Sequence, residues 1–401
     1  MRKPLLFRSG GFLFLYDGSY SVRGGMKMKT TSFGTIEWQL NETGKEGVAK
    51  QLGIGKEAFQ LSNQTRTDHF LLPGYRLPEG THSFHSIGDV QGFIAPYRLQ
   101  QSDEWISGTF EYDSAHLKEE LKHLKAVFPF LQMSVIGHSV LGTPIYEIHT
   151  EPVQHLHSIH FNASFHANEW MTTSVLLKWL KSLCLAASDP VQARHDAAVR
   201  ILQTTALSIV PIVNPDGVDL VRNGPESLGL RSEEFIPLNG GFSDYQEWKA
   251  NIRGIDLNNQ FPAYWEIEYY RNAPKTPSYR DFPGHQPLTE PEAKAMANLA
   301  LRKRFDRLIA LHTQGEEIYW GFLGHEPAIS KETVERLERV SGYKAIQYLD
   351  SYAGYRDWFI YQCKSEGYTV ELGLGKNPLS MNQFDSIYDK TKRLLWEACK
   401  C

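Results

Sequence analysis

Apolar residues recur along this chain with two periods, near 3.6 and near 2, and the switches between them outline its elements. In "DSAHLKEELKHLKAVFPFL", Leu117, Leu121, Leu124 and Phe128 repeat every three or four residues with charge between them, which predicts a helix. "MSVIGHSV" and "TPIYEIHT" are short alternating segments that can pair as a hairpin. "HSIHFNASF" predicts a strand and "TTSVLLKWLKSLCLAA" a helix, while "LSIVPIVNPDG" predicts an apolar strand closed by a turn. "PLTEPEAKAMANLALRKR" opens another helix, with Glu290 and Glu292 in its first turn. "FDRLIALHT" and "YTVELGLG" complete the set as two buried strands. Strands and helices that alternate in this way predict an α/β domain, a mixed twisted sheet with helices on both faces, over residues 109–401.

The first hundred residues lack that rhythm. Residues 1–34 carry repeated glycines and small residues and predict an irregular lead-in. Residues 35–80 predict a small α+β unit: a strand in "GTIEWQL", two short helices in "GKEGVAKQLGIGKEAFQLSN" and a closing strand in "FLLPGYRLP". Residues 81–108 show no periodicity and predict a linker.

Composition narrows the function classes. With 41% apolar and 22% charged residues the chain has the make-up of an ordinary globular protein, and a formal charge of -4 offers no footing for nucleic acid or an anionic membrane. No apolar run reaches the length of a membrane span. In "MRKPLLFRSGGFLFLYDGSYS", Arg8 and two glycines break the apolar stretch, so no signal peptide is expected. Cys184, Cys363, Cys399 and Cys401 form neither a disulfide framework nor a metal-binding spacing. A reducing, cytoplasmic location is the expectation, with export by another route left open.

The chemistry gathers at strand ends. In "IHFNASFHANEW" an apolar strand breaks off at Ser164 and presents His166 and Glu169 within five residues. His312 follows "RLIAL", and Glu371 falls near the end of "YTVEL". In a sheet of this type functional groups collect beyond the carboxyl ends of the strands. A His-x-x-Glu pair plus a histidine from another strand makes three ligands with one position open, the arrangement of catalytic zinc. A carboxylate inside an apolar strand costs several kcal/mol unless it is paired or functional; Glu371 is therefore read as functional, a structural ion pair being the other reading.

The order of these motifs, with "NPDG" (214–217), "GIDLNNQFP" (254–262), "IGHSVLGTPIYEI", "PLTEPEAKA" and "DWFIYQCKSEGYTVEL", resembles the M14 zinc carboxypeptidase family over about residues 110–401. The resemblance implies that His166, Glu169 and His312 hold one zinc ion. It implies that Asp256 fixes the first histidine's tautomer and that Glu371 is the general base, which later protonates the leaving amine. Lys249 stands where the family usually has an arginine that stabilises the oxyanion, and Arg253, four residues on, is the alternative. Lysine supplies charge there but no bidentate fork.

The chain departs from the family at the pocket for a terminal carboxylate. Asn258 is kept, but Asn259 replaces the arginine of "DLNRN", and Asn168 replaces a second arginine beside Glu169. Arg356 falls at the family's position for side-chain selectivity, which would favour an acidic or zwitterionic group; a surface pair with Asp357 is the other reading. Tyr348 and Tyr352 both fit the family's substrate-contacting tyrosine. These departures resemble the branch acting on bacterial peptidoglycan peptides, the γ-D-glutamyl-L-diamino acid endopeptidases of sporulating bacilli. That resemblance implies cleavage of the bond between γ-D-glutamate and diaminopimelate or lysine. Residues 35–80 resemble a LysM wall-binding module, which would add glycan as a partner; a ligand-free cap is the alternative. A metallocarboxypeptidase for acidic C-termini, a non-catalytic wall-binding protein and a small amide hydrolase of the same family are the competing readings. The insertion around "ESLGLRSEEFIPLNGG" suggests a larger substrate groove.

Overall fold

The computed structural model describes residues 35–37, 44–66, 69–78, 80–84, 87–271 and 274–400. The expected lead-in, residues 1–34, lies outside them. Three short strands, β1 (Thr35–Glu37), β2 (His69–Phe70) and β3 (Thr81–Ser83), form a small sheet in the order β2-β1-β3. The helices Gly44–Leu52 and Lys56–Ser62 stand between β1 and β2, so the expected order of strand, two helices and strand is present.

The linker reading of residues 81–108 needs correction. β3 pairs in parallel with β1, Ile36 opposite His82, and the helix Ile87–Ile94 sends Val90 and Ile94 into the small unit's core beside Val48, Phe59 and Phe70. A three-residue strand is too short to display alternation, and its partner lies more than forty residues away, so only tertiary pairing reveals it. The same segment continues into the helix Glu104–Ser107, whose Trp105 and Ile106 enter the core of the larger domain.

That domain is built on eight strands: β4 (Gln132–His138), β5 (Pro144–His149), β6 (His157–Asn162), β7 (Thr205–Val210), β8 (Arg307–His312), β9 (Glu317–Trp320), β10 (Lys344–Gln347) and β11 (Glu366–Glu371). Their order is β10-β9-β11-β8-β6-β7-β5-β4. The central four, β11, β8, β6 and β7, are mutually parallel; β9 and β5 flank them antiparallel, and β4 and β5 form the expected hairpin. Alternation assigns the faces. Ile159, Phe161, Ile309, Leu311, Tyr368 and Val370 pack into one cluster with the helices Ser114–Val127, Met171–Ser188 and Phe384–Ala398. Leu308, with Phe165 and Val210, packs on the other side against the helices Pro291–Lys303 and Tyr355–Cys363. Burying both faces is what allows near-continuous apolar strands.

"NPDG" is the start of a helix, Pro215–Asn223, rather than a plain turn. Asn214 caps it by accepting from Gly217 N–H at 3.1 Å, and Pro215 occupies the first helical position, where its missing N–H is no loss. The small unit docks at the carboxyl end of the helix Met171–Ser188. Gly55 N–H donates to Ser188 O at 2.8 Å, and Arg98 Nη2 to Asp189 Oδ1 at 2.5 Å. Gly55 permits this approach, since a Cβ there would lie 2.1 Å from Ala187 O. The helix rises about 27 Å over its eighteen residues, so the small unit sits far from the strand ends that carry the chemistry.

Candidate metal centre and cleft

The three central parallel strands β11, β8 and β6 deliver Glu371, His312 and the His166–Glu169 turn side by side at their carboxyl ends. Beyond β6, Ser164 takes a left-handed conformation (φ 48°) that redirects the chain, and its N–H donates to Thr172 Oγ1 at 3.0 Å. A 3-10 turn over Ala167–Glu169 follows. Residues three apart eclipse in such a turn, which brings the side chains of His166 and Glu169 together. Ala167 N–H donates to Lys249 O at 3.0 Å, tying the turn to the segment that carries Lys249 and Asp256.

The resulting cluster is buried. His166 Nδ1 lies 2.8 Å from Glu169 Oε1, and His312 Nδ1 lies 3.0 Å from Glu169 Oε2. The two Nδ1 atoms are 3.2 Å apart, and the three ligand atoms fall within 4.8 Å of one another. On the far side of His166, Nε2 is 3.3 Å from Asp256 Oδ1. A carboxylate there draws the proton to Nε2 and leaves the Nδ1 lone pair facing a second carboxylate. Two imidazole nitrogens and a carboxylate cannot converge stably without a positive charge between them, and this donor set suits zinc with one position open. Asp256 also binds Lys249 Nζ through Oδ2 at 2.7 Å, and Lys249 Nζ reaches Asp281 Oδ1 at 3.0 Å.

The electrostatics agree with that demand for a cation. Burial opposes a charge on His166, but Glu169 and Asp256 outweigh it and push the imidazole up to about 9. Burial likewise opposes ionisation of Asp256, yet Lys249 and His166 hold it well below the usual carboxylate range. Glu371 moves the other way: burial first, then the nearby charge of Glu169, raises its carboxyl well above the ordinary value. A glutamate poised in this way is suited to exchange protons near neutrality.

The centre opens into a cleft of about 390 Å³. His166, Glu169, Asn168, Lys249 and Glu371, all singled out in the sequence, line it. Arg253 does not: it is half exposed, with Nη1 3.5 Å from Glu290 Oε2, and of the two candidates for oxyanion stabilisation only Lys249 faces the cleft. Asn258 and Asn259 are also absent from its walls, Asn258 Oδ1 accepting from Tyr355 N–H at 3.0 Å. Tyr348 is exposed, and its hydroxyl donates to Glu326 Oε1 at 2.8 Å; Tyr352 packs beside Tyr264 and Phe322. Neither tyrosine lines the cleft. Arg356 is buried on the helix that packs against β11, paired with Asp357, and its Nη1 has no hydrogen-bond partner among the described residues.

The other cleft residues escaped the sequence reading, among them Arg280, Tyr319, Lys376 and Asn377. Tyr319 lies on β9, where Ile318 and Trp320 are buried and Glu317 and Tyr319 are not, an alternation visible in "EEIYW". Lys376 and Asn377 come five and six residues after Glu371, the end of a functional strand. Arg280 sits in an aperiodic loop that gave no signal.

Comparison with known proteins agrees with this geometry. Residues 117–392 match the family Peptidase_M14, zinc carboxypeptidase. The chain is 48% identical over 355 residues to the uncharacterized protein YqgT of Bacillus subtilis (strain 168), covering 88% of this chain and 94% of that one. It is 46% identical over 285 residues to gamma-D-glutamyl-L-diamino acid endopeptidase 1 of Lysinibacillus sphaericus, covering 71% of each. The crystal structure of carboxypeptidase A from Helicoverpa armigera shares the fold, with a TM-score of 0.53 at 17% identity over 75% of this chain and 73% of that one. The chain belongs to the M14 zinc carboxypeptidase family and is a metallopeptidase.

Proposed function

We propose that the protein hydrolyses the amide between γ-D-glutamate and an L-diamino acid, diaminopimelate or lysine, in peptides derived from peptidoglycan. The observation that carries this reading is a complete His166, Glu169, His312 and Glu371 set in a chain 46% identical to an endopeptidase named for that bond. His166, His312 and Glu169 would hold a zinc ion, which would supply Lewis acidity toward the scissile carbonyl and lower the pKa of water toward neutrality. Glu371 takes a proton from the attacking water and passes it to the leaving amine. Lys249, kept cationic by Asp256 and Asp281, balances charge that develops on the carbonyl oxygen. Asp256 holds His166 in the tautomer that leaves Nδ1 bare. Arg356, with Nη1 unpartnered beside the Glu371 strand, meets a carboxylate of the diamino acid.

Asn168 and Asn259, in place of two arginines, speak against ordinary removal of C-terminal residues, which needs a charge-assisted grip on the terminal carboxylate. The small N-terminal unit, with its strand–helix–helix–strand core, would hold glycan while the distant cleft works on the stem peptide. The test is incubation of the zinc-loaded protein with L-Ala-γ-D-Glu-meso-diaminopimelate and product analysis by mass. Release of L-Ala-D-Glu by the wild type and not by Glu371→Gln is expected. An uncleaved tripeptide in the presence of tightly held zinc would reject the reading.

A further inference from the structure

We propose that Arg280 is a specificity-determining residue that binds a carboxylate on the acyl side of the scissile bond, in the case at hand the free α-carboxylate of a γ-linked glutamyl residue. The proposal rests on the substrate reading given above.

Arg280 lines the cleft at the end of a chain of alternating charges. Its Nε donates to Asp281 Oδ2 at 2.9 Å, Asp281 Oδ1 takes Lys249 Nζ at 3.0 Å, and Lys249 binds Asp256 beside His166. The segment is clamped as well as charged. Lys249 and Ala250 both donate their N–H groups to Tyr279 O, at 2.8 and 2.9 Å, and Asp256 N–H donates to Phe282 O at 2.7 Å. Asp281 itself holds a left-handed backbone (φ 63°), which sets its carboxylate between two cations. The arginine is thus anchored through Nε alone, and its two terminal nitrogens make no hydrogen bond or ion pair among the described residues. A guanidinium held at Nε presents the edge that accepts a carboxylate bidentately.

The other cleft cations are already committed. Lys249 has two carboxylates, and Lys376 pairs with Glu247 at the rim. Arg356 is not among the residues that line the cleft; it lies on the helix against β11, paired with Asp357 and with Cγ against Gly367. Among the arginines and lysines that line the cleft, Arg280 thus keeps a free hydrogen-bonding edge. A substrate joined through a glutamyl side chain carries a free carboxylate on each side of the bond, whereas an ordinary C-terminal peptide carries one only on the amine side. With Arg356 given to the carboxylate of the diamino acid, a second arginine in the cleft serves the first substrate and has no use in the second.

Two peptides that differ only in whether the γ-linked D-glutamyl residue bears an α-carboxylate or an α-carboxamide test this, with zinc content checked in every variant. Wild type is expected to prefer the carboxylate by about 10- to 100-fold in kcat/KM, the worth of one charge-assisted contact. Arg280→Gln is expected to bring that ratio close to one, and Arg280→Lys to keep part of it. A ratio unchanged in Arg280→Gln, or equal losses on both peptides, would overturn the assignment. If wild type cleaves the carboxamide as fast as the carboxylate, the assignment fails while the substrate reading stands. If it cleaves neither peptide, the substrate reading fails and takes the assignment with it.

Discussion

β8 and β11 run in register through the middle of the sheet, from Arg307 opposite Glu366 at one end to His312 opposite Glu371 at the other. Each end pairs a glutamate with a basic residue, and the two glutamates meet different fates. Glu366 is buried and satisfied: Oε1 accepts from Arg307 Nη2 at 2.7 Å and Nε at 3.2 Å, and Oε2 accepts from Tyr368 OH at 2.8 Å. Arg307 is saturated in turn, donating through Nη1 to Ala398 O and Lys400 O. Glu371 makes no hydrogen bond or ion pair among the described residues, and its carboxyl is raised by burial and by Glu169. Five residues along a strand also reverse the face, so the first pair is closed over by the C-terminal helix while the second opens into the cleft. The same residue type on the same strand is structural where the protein supplies its countercharge and reactive where it does not.

Glutamine at each end breaks the comparison most directly. Glu371→Gln should lower kcat by about 10²- to 10⁴-fold with zinc retained and thermal stability undiminished, because only the proton carrier is lost. Glu366→Gln should leave kcat per folded molecule intact but cost about 3–5 kcal/mol in denaturant unfolding, since it strands the buried charge of Arg307. A stable Glu366→Gln protein with impaired turnover would mean the two ends are not separable in this way.

A smaller effect sharpens what makes the cleft end different, namely its demand for a cation. Asp256→Asn removes the charge that fixes the tautomer of His166, and zinc affinity should fall about 10- to 100-fold in competition with a chelator. Asp281→Asn, which touches Lys249 and Arg280 but neither histidine, should leave zinc affinity near that of wild type. Equal losses in the two variants would assign the effect to the Lys249 charge chain rather than to His166.

The strand ends were legible because a buried apolar run that stops at a polar cluster is a local signal, and His166, Glu169, His312 and Glu371 all carried it. Residues whose role depends on the path of a loop were not. Lys249 and Arg253 are four apart and both basic, but Asn251 Oδ1 accepts from the N–H groups of Arg253 and Ile255, and the chain turns at Gly254 (φ 71°), sending Arg253 out to Glu290. Arg280 faces the cleft only because its segment is bonded to residues 249–256, a pairing between loops that no periodicity encodes. β3 and the helix after it were hidden for a similar reason: their partners are distant and their elements too short to show a period.

Glu292 offers a third fate for a buried glutamate, and the smallest expected effect. It is fully buried at the start of the helix Pro291–Lys303, and Val140 N–H donates to its Oε1 at 3.1 Å. Burial, helped by Glu290 and Asp216, pushes its carboxyl up to about 7, against the bonds from the backbone. Unlike Glu366 it has no cation bonded to it among the described residues, and unlike Glu371 it does not line the cleft, so below about pH 7 the acid form is the one held. A carboxyl whose folded pKa lies above its unfolded value binds its proton more tightly in the folded state. Its contribution is therefore complete below about pH 4.5 and is lost as pH rises through about 7. On this basis Glu292→Gln, which keeps the shape and removes the titration, should gain on the order of 1–3 kcal/mol over wild type at pH 8 and little at pH 5, by urea unfolding. A difference between the two proteins that does not change with pH would show that Glu292 is ionised in the fold, with a countercharge of its own as at Glu366.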